Sequence, residues 1–238
     1  MKRILTMILL CAAAFAASAQ TVEEYQPTST WPYIYSDFMD GTLHQSTGGD
    51  MEGKFNIHLL ESRLHFIEGN LVKEASPADV YSVKIGQDIF VNAGGTMMRV
   101  LAKSDNGIVA QLTEIDVTRL NETGGAYGSS SNSMATTALS SIENVGGIGA
   151  RVNHMEMKNS KNEGKILPVI TKLYIVTGNK VIFATKKDVS EASDKEAFKS
   201  FQKEHKIKWR DPQSLLQVVD FLAGTGSHDG QSATSRTK

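Results

Sequence analysis

The chain has 238 residues, with 25 Lys and Arg against 26 Asp and Glu, 40% hydrophobic and 7% aromatic residues. That balance excludes a disordered or fibrous chain and fits one or two folded domains. A formal net charge of −1 argues against a general nucleic-acid binder, whose phosphate-tracking surface shows as a Lys/Arg excess.

The first nineteen residues read as an address. Lys2 and Arg3 form a positive start, Ile4 to Ala17 is an apolar run broken only by Thr6, and Ala17-Ser18-Ala19 is a small-x-small cleavage site. Residues 1–19 are therefore expected to be a signal peptide, with the mature chain starting at Gln20. The apolar run is too short for a transmembrane helix, which needs about 20 apolar residues, and no later stretch approaches that length. Cys11 is the only cysteine and lies inside the leader, and Leu10 before it is not the small residue a lipoprotein signal requires. A mature chain without cysteine cannot use disulfides, thiolate nucleophiles or Cys-ligated zinc.

From Trp31 to Val117 short apolar-alternating runs are separated by Gly, Asn, Asp and Pro, the pattern of an antiparallel meander. Strands are expected at 31–38, 53–60, 63–68, 71–75, 80–85, 88–92, 96–103 and 107–117. Asn106-Gly107 suits a type I′ hairpin, with Gly69-Asn70 and Gly178-Asn179 as weaker turn signals. A turn at Glu61-Ser62 sets Leu59 opposite Leu64 and Ile57 opposite Phe66 on a core face. His58 then lies opposite His65 on a mixed, half-wet face with Asn56, Leu60, Arg63 and Ile67.

Residues 118–164 are rich in Gly, Ser, Asn and Thr and read as a flexible insertion, with a short helix around Met134, Ala138, Ile142 and Val145. Strands resume at 169–177 and 180–185, apolar on both faces and so expected to be covered on both. A helix over 193–206, with Ala197, Phe198 and Phe201 inward, and a second one capped by Asp211-Pro212 and stopped at Gly224, make a C-terminal hairpin over 193–222. Residues 223–238 read as a disordered tail.

The segments TWPYIYSDFMDGTL at 30–43, NIHLLESRLHFIEGNLVKEA at 56–75, VYSVKIGQDIF at 80–90, GAYGSS at 125–130 and KEAFKSFQKEHKIKWRDPQSLLQVVDFL at 195–222 resemble a family of uncharacterised secreted proteins of Bacteroidetes-type bacteria. The resemblance implies export and a β-rich body with a helical end. It supplies no activity and no catalytic residues.

Catalytic signatures are absent. No Gly-x-Ser-x-Gly elbow, His-Glu-x-x-His pair, phosphate-cradling loop or calcium loop occurs. Gly146-Gly147-Ile148-Gly149 lacks the remaining glycine of a dinucleotide loop, and His154-Met155-Glu156 lacks the cysteine pair of a zinc deaminase. His58 and His65 are two imidazoles in reach of each other, but a zinc site generally needs a third protein ligand. Lys195, Lys199, Lys203 and Lys206, extended by Lys208 and Arg210, form a basic stripe interleaved with Asp194, Glu196 and Glu204, the pattern of a solvated helix face. Trp31, Tyr33, Tyr35 and Phe38 read as a packed strand face rather than a sugar platform.

The expectation is a mainly β protein with a small α part: one domain over 20–222, an antiparallel meander forming a sandwich or partly open barrel, then the two-helix hairpin. No catalytic, cofactor-binding or metal-binding residue and no cofactor is assigned. The expected role is non-enzymatic binding or scaffolding in the periplasm or at the cell surface, with an envelope protein or glycan as partner. The alternatives are a small-ligand carrier using a barrel cavity and, behind it, a glycan hydrolase.

Overall fold

The computed structural model describes residues 25–122 and 152–226. These form eleven strands: β1 (Met39–Gln45), β2 (Met51–His58), β3 (Arg63–Glu68), β4 (Leu71–Glu74), β5 (Val80–Ile85), β6 (Asp88–Ala93), β7 (Thr96–Ser104), β8 (Gly107–Ile115), β9 (Val152–Asn153), β10 (Val169–Thr177) and β11 (Lys180–Phe183). Five helices accompany them: α1 (Val117–Glu122), α2 (His154–Ser160), α3 (Lys186–Glu191), α4 (Lys195–Glu204) and α5 (Pro212–Gly226). The protein is mainly β. All strands belong to one antiparallel sheet in the order β11-β10-β8-β7-β6-β5-β1-β2-β3-β4-β9.

The two ends of that order do not pair, so the sheet is not closed into a barrel. It nevertheless curls strongly. The β2–β3 turn reaches across to β7, where Met97 N–H donates to Ser62 O at 2.9 Å and Ser62 Oγ donates to Met97 O at 2.7 Å. The end of β8 closes on the same turn, with Ile115 N–H donating to Leu59 O at 3.0 Å. Curling lets one sheet face bury against itself: Leu43, Phe55, Ile57, Leu64, Val83, Ile85, Phe90 and Met97 from six strands form one core cluster.

Further along the same face the cover is helical. Ala102, Val109, Ile175 and Ile182 of the sheet pack with Val189 of α3, Phe198 of α4 and Leu215, Val218, Val219 and Leu222 of α5. The expected hairpin is therefore present, preceded by the extra helix α3. Asp211 caps α5 as expected, its Oδ1 accepting from Gln213 N–H at 3.1 Å. The helix passes Gly224 and ends at Gly226, so residues 223–226, expected in a disordered tail, are helical; residues 227–238 lie outside the described residues. The helices cover only one face of β10 and β11. On the other face Val181 and Phe183 remain 41% and 38% exposed, which corrects the expectation of cover on both sides.

The meander corrects the sequence reading in three further places. Residues 31–38 form no named strand. They make an isolated bridge, Tyr33 with His58, and then turn a corner held by Asn56. Its Oδ1 accepts from Tyr35 N–H at 3.1 Å and its Nδ2 donates to the carbonyls of Tyr35 and Asp37 at 2.9 Å each. This fully buried amide supplies the bonds that a ladder would otherwise make and aims the chain into β1, a strand that sequence periodicity does not reveal. Replacing it with leucine leaves the part-buried Tyr35 N–H and Asp37 carbonyl without the amide, while the Tyr35 carbonyl keeps only its bond from Trp31 Nε1 at 2.8 Å. Asn56→Leu is expected to cost at least about 2 kcal/mol, read as a lower urea midpoint; an unchanged midpoint would mean the corner holds itself.

The second correction concerns the β2–β3 register. Phe55 faces Phe66, Asn56 faces His65, Ile57 faces Leu64 and His58 faces Arg63. Residues 59–62 form the turn, with Glu61 and Ser62 at φ of 58° and 50°. The shift from the expected register is two residues, which preserves the side of every residue because strand alternation has period two. Phe55 and Ile57 are accordingly in the core, as expected.

The third concerns turn chemistry. Asn106 is not at positive φ, and Ser104 pairs with Gly107, so the turn there is Asp105-Asn106 and not type I′. A two-residue hairpin turn with both φ values positive occurs instead at Gly94-Gly95, at 67° and 89°, between paired residues Ala93 and Thr96. The Gly69-Asn70 and Gly178-Asn179 turns do occur where expected, each with its glycine at positive φ.

The helix expected within 134–145 and the Gly146–Gly149 run lie outside the described residues. The described flanks of that insertion are ordered elements: α1, β9 and α2, the last capped by Asn153, whose Oδ1 accepts from Met155 N–H at 2.9 Å.

Candidate functional site

The two histidines singled out from sequence do come together, but not as a half-wet surface pair. His58 and His65 are diagonal across β2 and β3, stacked at 4.8 Å between centroids with planes 7° apart. Both are buried, at 2% and 1% exposure. The face expected to be wet is covered by a second aromatic core, in which Trp31, Tyr33 and Phe38 pack with Val72 of β4 and Met157 of α2. The aromatic run is thus packed, as expected, although on an irregular segment; Tyr35 turns instead toward the curled face.

Within this cluster Tyr33 Oη and His65 Nδ1 share a hydrogen bond at 3.0 Å. His65 Nε2 lies 3.5 Å from Glu74 Oε2, too long for a well-formed hydrogen bond, so Glu74 acts there mainly as a charge. Burial holds both imidazoles below their ordinary value. At His58 the neighbouring His65 lowers it further while a hydrogen bond to the Leu60 backbone opposes, and at His65 Glu74 opposes. Burial and the Glu74 charge push the Tyr33 phenol far up. The pair is therefore neutral imidazole at neutral pH, and Nε2 of each ring has no hydrogen-bond partner.

Stacked rings with planes 7° apart hold their in-plane lone pairs in two parallel planes, an arrangement poorly suited to converging on one ion. Among the described residues no three His, Cys, Asp or Glu side chains gather as metal ligands would. His154 opens α2 beside Asp37, at 3.9 Å, and packs edge-on to Phe38. Met155 and Glu156 point outward, and their order His-Met-Glu builds no site.

Only Lys195, Lys199 and Lys203 of the basic stripe are exposed along α4, opposite Phe198; Lys206, Lys208 and Arg210 follow beyond its end, also exposed. Asp194 is used as the helix cap, its Oδ1 accepting from Ala197 N–H at 2.7 Å, and Lys199 lies 3.9 Å from Glu196. No helix among the described residues is long and apolar enough to cross a membrane.

A cleft of about 330 Å³ lies on the curled face, between the two core clusters. Strand alternation carries apolar side chains into this face on both flanks: Phe90 and Met97 on one, Val109 and Ile175 on the other. Between them the same parity delivers Arg99, Gln111, Thr113 and Thr171. The register makes them neighbours, with Arg99 facing Gln111 across β7–β8 and Thr113 facing Thr171 across β8–β10. The opposite wall is Pro27, Ile34 and Leu59, with Tyr25 beside them.

Arg99 is oriented from behind. Its Nη2 lies 3.3 Å from Asp88 Oδ2, its guanidinium carbon is 5.7 Å from the Phe90 ring centre, and Tyr35 Oη donates to the same Asp88 oxygen at 2.5 Å. Burial and that carboxylate drive the Tyr35 phenol well up. The Tyr25 hydroxyl is buried without a hydrogen-bond partner, and burial pushes its pKa up to about 12. Sequence reading missed these residues. The signal was present in the polar members of an otherwise apolar inward row, Val109-Gln111-Thr113-Ile115.

A larger cleft of about 490 Å³ opens between the β2–β3 turn and the β8–α1 junction, with Glu61, Glu114, Asp116 and Lys172 on its walls. Each carboxylate is already engaged. Glu61 pairs with Arg63 at 3.0 Å, Glu114 with Lys172 at 2.5 Å, and Asp116 Oδ1 accepts from Arg119 N–H at 3.0 Å. Glu114 in turn raises the Lys172 pKa. Comparison with protein-family models, with curated proteins and with solved structures finds no match for this chain.

Proposed function

We propose that the protein is exported and works in the periplasm or at the cell surface as a non-enzymatic binding or scaffolding protein, with the smaller cleft as its contact for a ligand. One observation carries the binding role. Gln111, Thr113 and Thr171 are polar side chains placed by register on the row between two apolar cores, Gln111 and Thr113 half-buried and Thr171 exposed. A ligand that pairs with polar groups set between two apolar cores accounts for their placement. The export half rests on the Lys2-Arg3 start, the apolar run and Ala17-Ser18-Ala19, and on the resemblance to secreted Bacteroidetes-type proteins in the segments quoted above.

The carrier alternative has less support, because the sheet has two unpaired edges and its curled interior is filled by core clusters. A hydrolase needs a carboxylic acid free to give its proton beside a second carboxylate. The three acids around the larger cleft are instead tied to cations or a helix start.

Sequencing the N-terminus of the protein recovered from the envelope fraction tests export. Cleavage before Gln20 is expected. A protein that keeps Met1 and stays in the cytoplasmic fraction would overturn the localisation.

A further inference from the structure

We infer that the smaller cleft binds a neutral, hydroxyl-rich ring, the size and chemistry of one sugar unit of a glycan. The inference rests on the binding reading above and names the ligand class for that site. Three features select it. The first is room: about 330 Å³ is near the lower end of ligand clefts, roughly 300–1,000 Å³, so a single ring fits and a long acyl chain does not.

Charge is the second. The only cation on the polar row, Arg99, already faces Asp88 at 3.3 Å, so the cleft offers no uncompensated charge to an anion. Some of its five guanidinium donors still remain for a neutral acceptor.

The third feature is the mixture of donors and acceptors. Thr113 and Thr171 are cross-strand neighbours, and each hydroxyl both gives and takes a hydrogen bond; the Gln111 amide beside them does the same through two atoms. The Tyr25 hydroxyl, buried and unpartnered, stays protonated and adds another donor–acceptor. Vicinal hydroxyl groups are the ligand groups that satisfy such a set in both directions. Pro27, Ile34, Leu59 and Val169 supply an apolar wall for the C–H face of the ring.

The test is an NMR titration of the purified protein with methyl glucoside, N-acetylglucosamine, glucuronate and dodecanoate as probes, following the side-chain amide of Gln111 and, in every variant, the backbone amides of Arg99, Leu112 and Thr171. A saturable shift with either neutral sugar is expected. Gln111→Leu and Thr113→Val should each weaken that binding about tenfold, with the melting temperature close to that of the parent; the isosteric Thr171→Val is the second variant if Gln111→Leu fails to fold. Sugar binding that survives all of these substitutions would place the ligand elsewhere and overturn the inference. A shift with dodecanoate or glucuronate but neither neutral sugar would overturn the sugar class while leaving the cleft a binding site. No shift with any probe would overturn both.

Discussion

Phe198→Ala is expected to cost about 3–5 kcal/mol, the range for truncating a buried aromatic side chain. Phe198 is 2% exposed and sits at the centre of the helical cover, with the rings of Phe201, Trp209 and Phe221 at 6.4, 6.4 and 5.7 Å. Its cluster mixes side chains of β7, β8, β10 and β11 with those of α3, α4 and α5, so the cavity opens between sheet and helices. Phe201 is only half-buried and stacks on Phe221 at 4.6 Å and His205 at 4.5 Å; Phe201→Ala should cost clearly less. Urea denaturation of the two variants checks the order. The stronger test is truncation after Lys187, which removes the cover from Val109, Ile175 and Ile182. A truncated chain that unfolds cooperatively at the parent's midpoint would make the helices an appendage and refute the shared core.

Sequence periodicity located most of the sheet because its strands alternate cleanly. β3, β5 and β10 fall on the expected residues 63–68, 80–85 and 169–177, where apolar side chains repeat every second position and turn residues bound each run. β1 was illegible for the opposite reason. Met39–Gln45 carries Asp40, Gly41, Thr42 and His44, and its one fully buried apolar residue is Leu43. What places it is Asn56, a polar residue whose effect is tertiary. The short helices escaped likewise. α2 and α3 have six or seven residues and begin at local caps, Asn153 and Thr185, and segments that short show no amphipathic period.

The candidate site was legible only in part, and the reason is again register. From sequence, His58 and His65 stood directly opposite on a wet surface. The longer turn at 59–62 makes them diagonal neighbours, and the Trp31–Phe38 segment, which fails to become a strand, folds over them instead. The cleft residues belong to six separate parts of the chain, from Tyr25 to Thr171. Their significance is positional: Gln111 and Thr113 look like ordinary strand residues until the neighbours on β7 and β10 show that the row between the two cores is polar.

Stability is expected to fall as pH drops below about 6.5, steeply enough to see between pH 6.5 and 5. Burial lowers the folded-state pKa of His58 and His65, and of His154, where desolvation wins over the opposing charge of Asp37. An unfolded chain has no such burial and takes up protons near the ordinary value of about 6.5. Above that pH both states are neutral at these rings and the histidines leave stability unaffected. Below it the unfolded state binds protons that the folded state refuses, so stability decreases until the depressed folded-state values are reached. The limiting slope is about 1.4 kcal/mol per pH unit for each such histidine. The nearby Asp37 carboxylate separates from this window. Asp37 is lowered from 3.8 through its bonds to Lys158 and Phe38 N–H, against its own desolvation, so the stability it contributes is lost only at still lower pH. Protonating the folded pair is resisted further by geometry, because two stacked imidazolium rings at 4.8 Å would carry like charges with only Glu74, at 3.5 Å from His65, to offset them. Urea midpoints measured from pH 8 to pH 5 give the slope directly. His58→Phe keeps a stacked ring and removes one titrating group, so its slope between pH 6.5 and 5 should be visibly shallower than the parent's even if its stability at pH 8 differs. A parent whose midpoint does not change across that interval would show that the rings titrate normally in the folded state, and that the cluster opens to solvent.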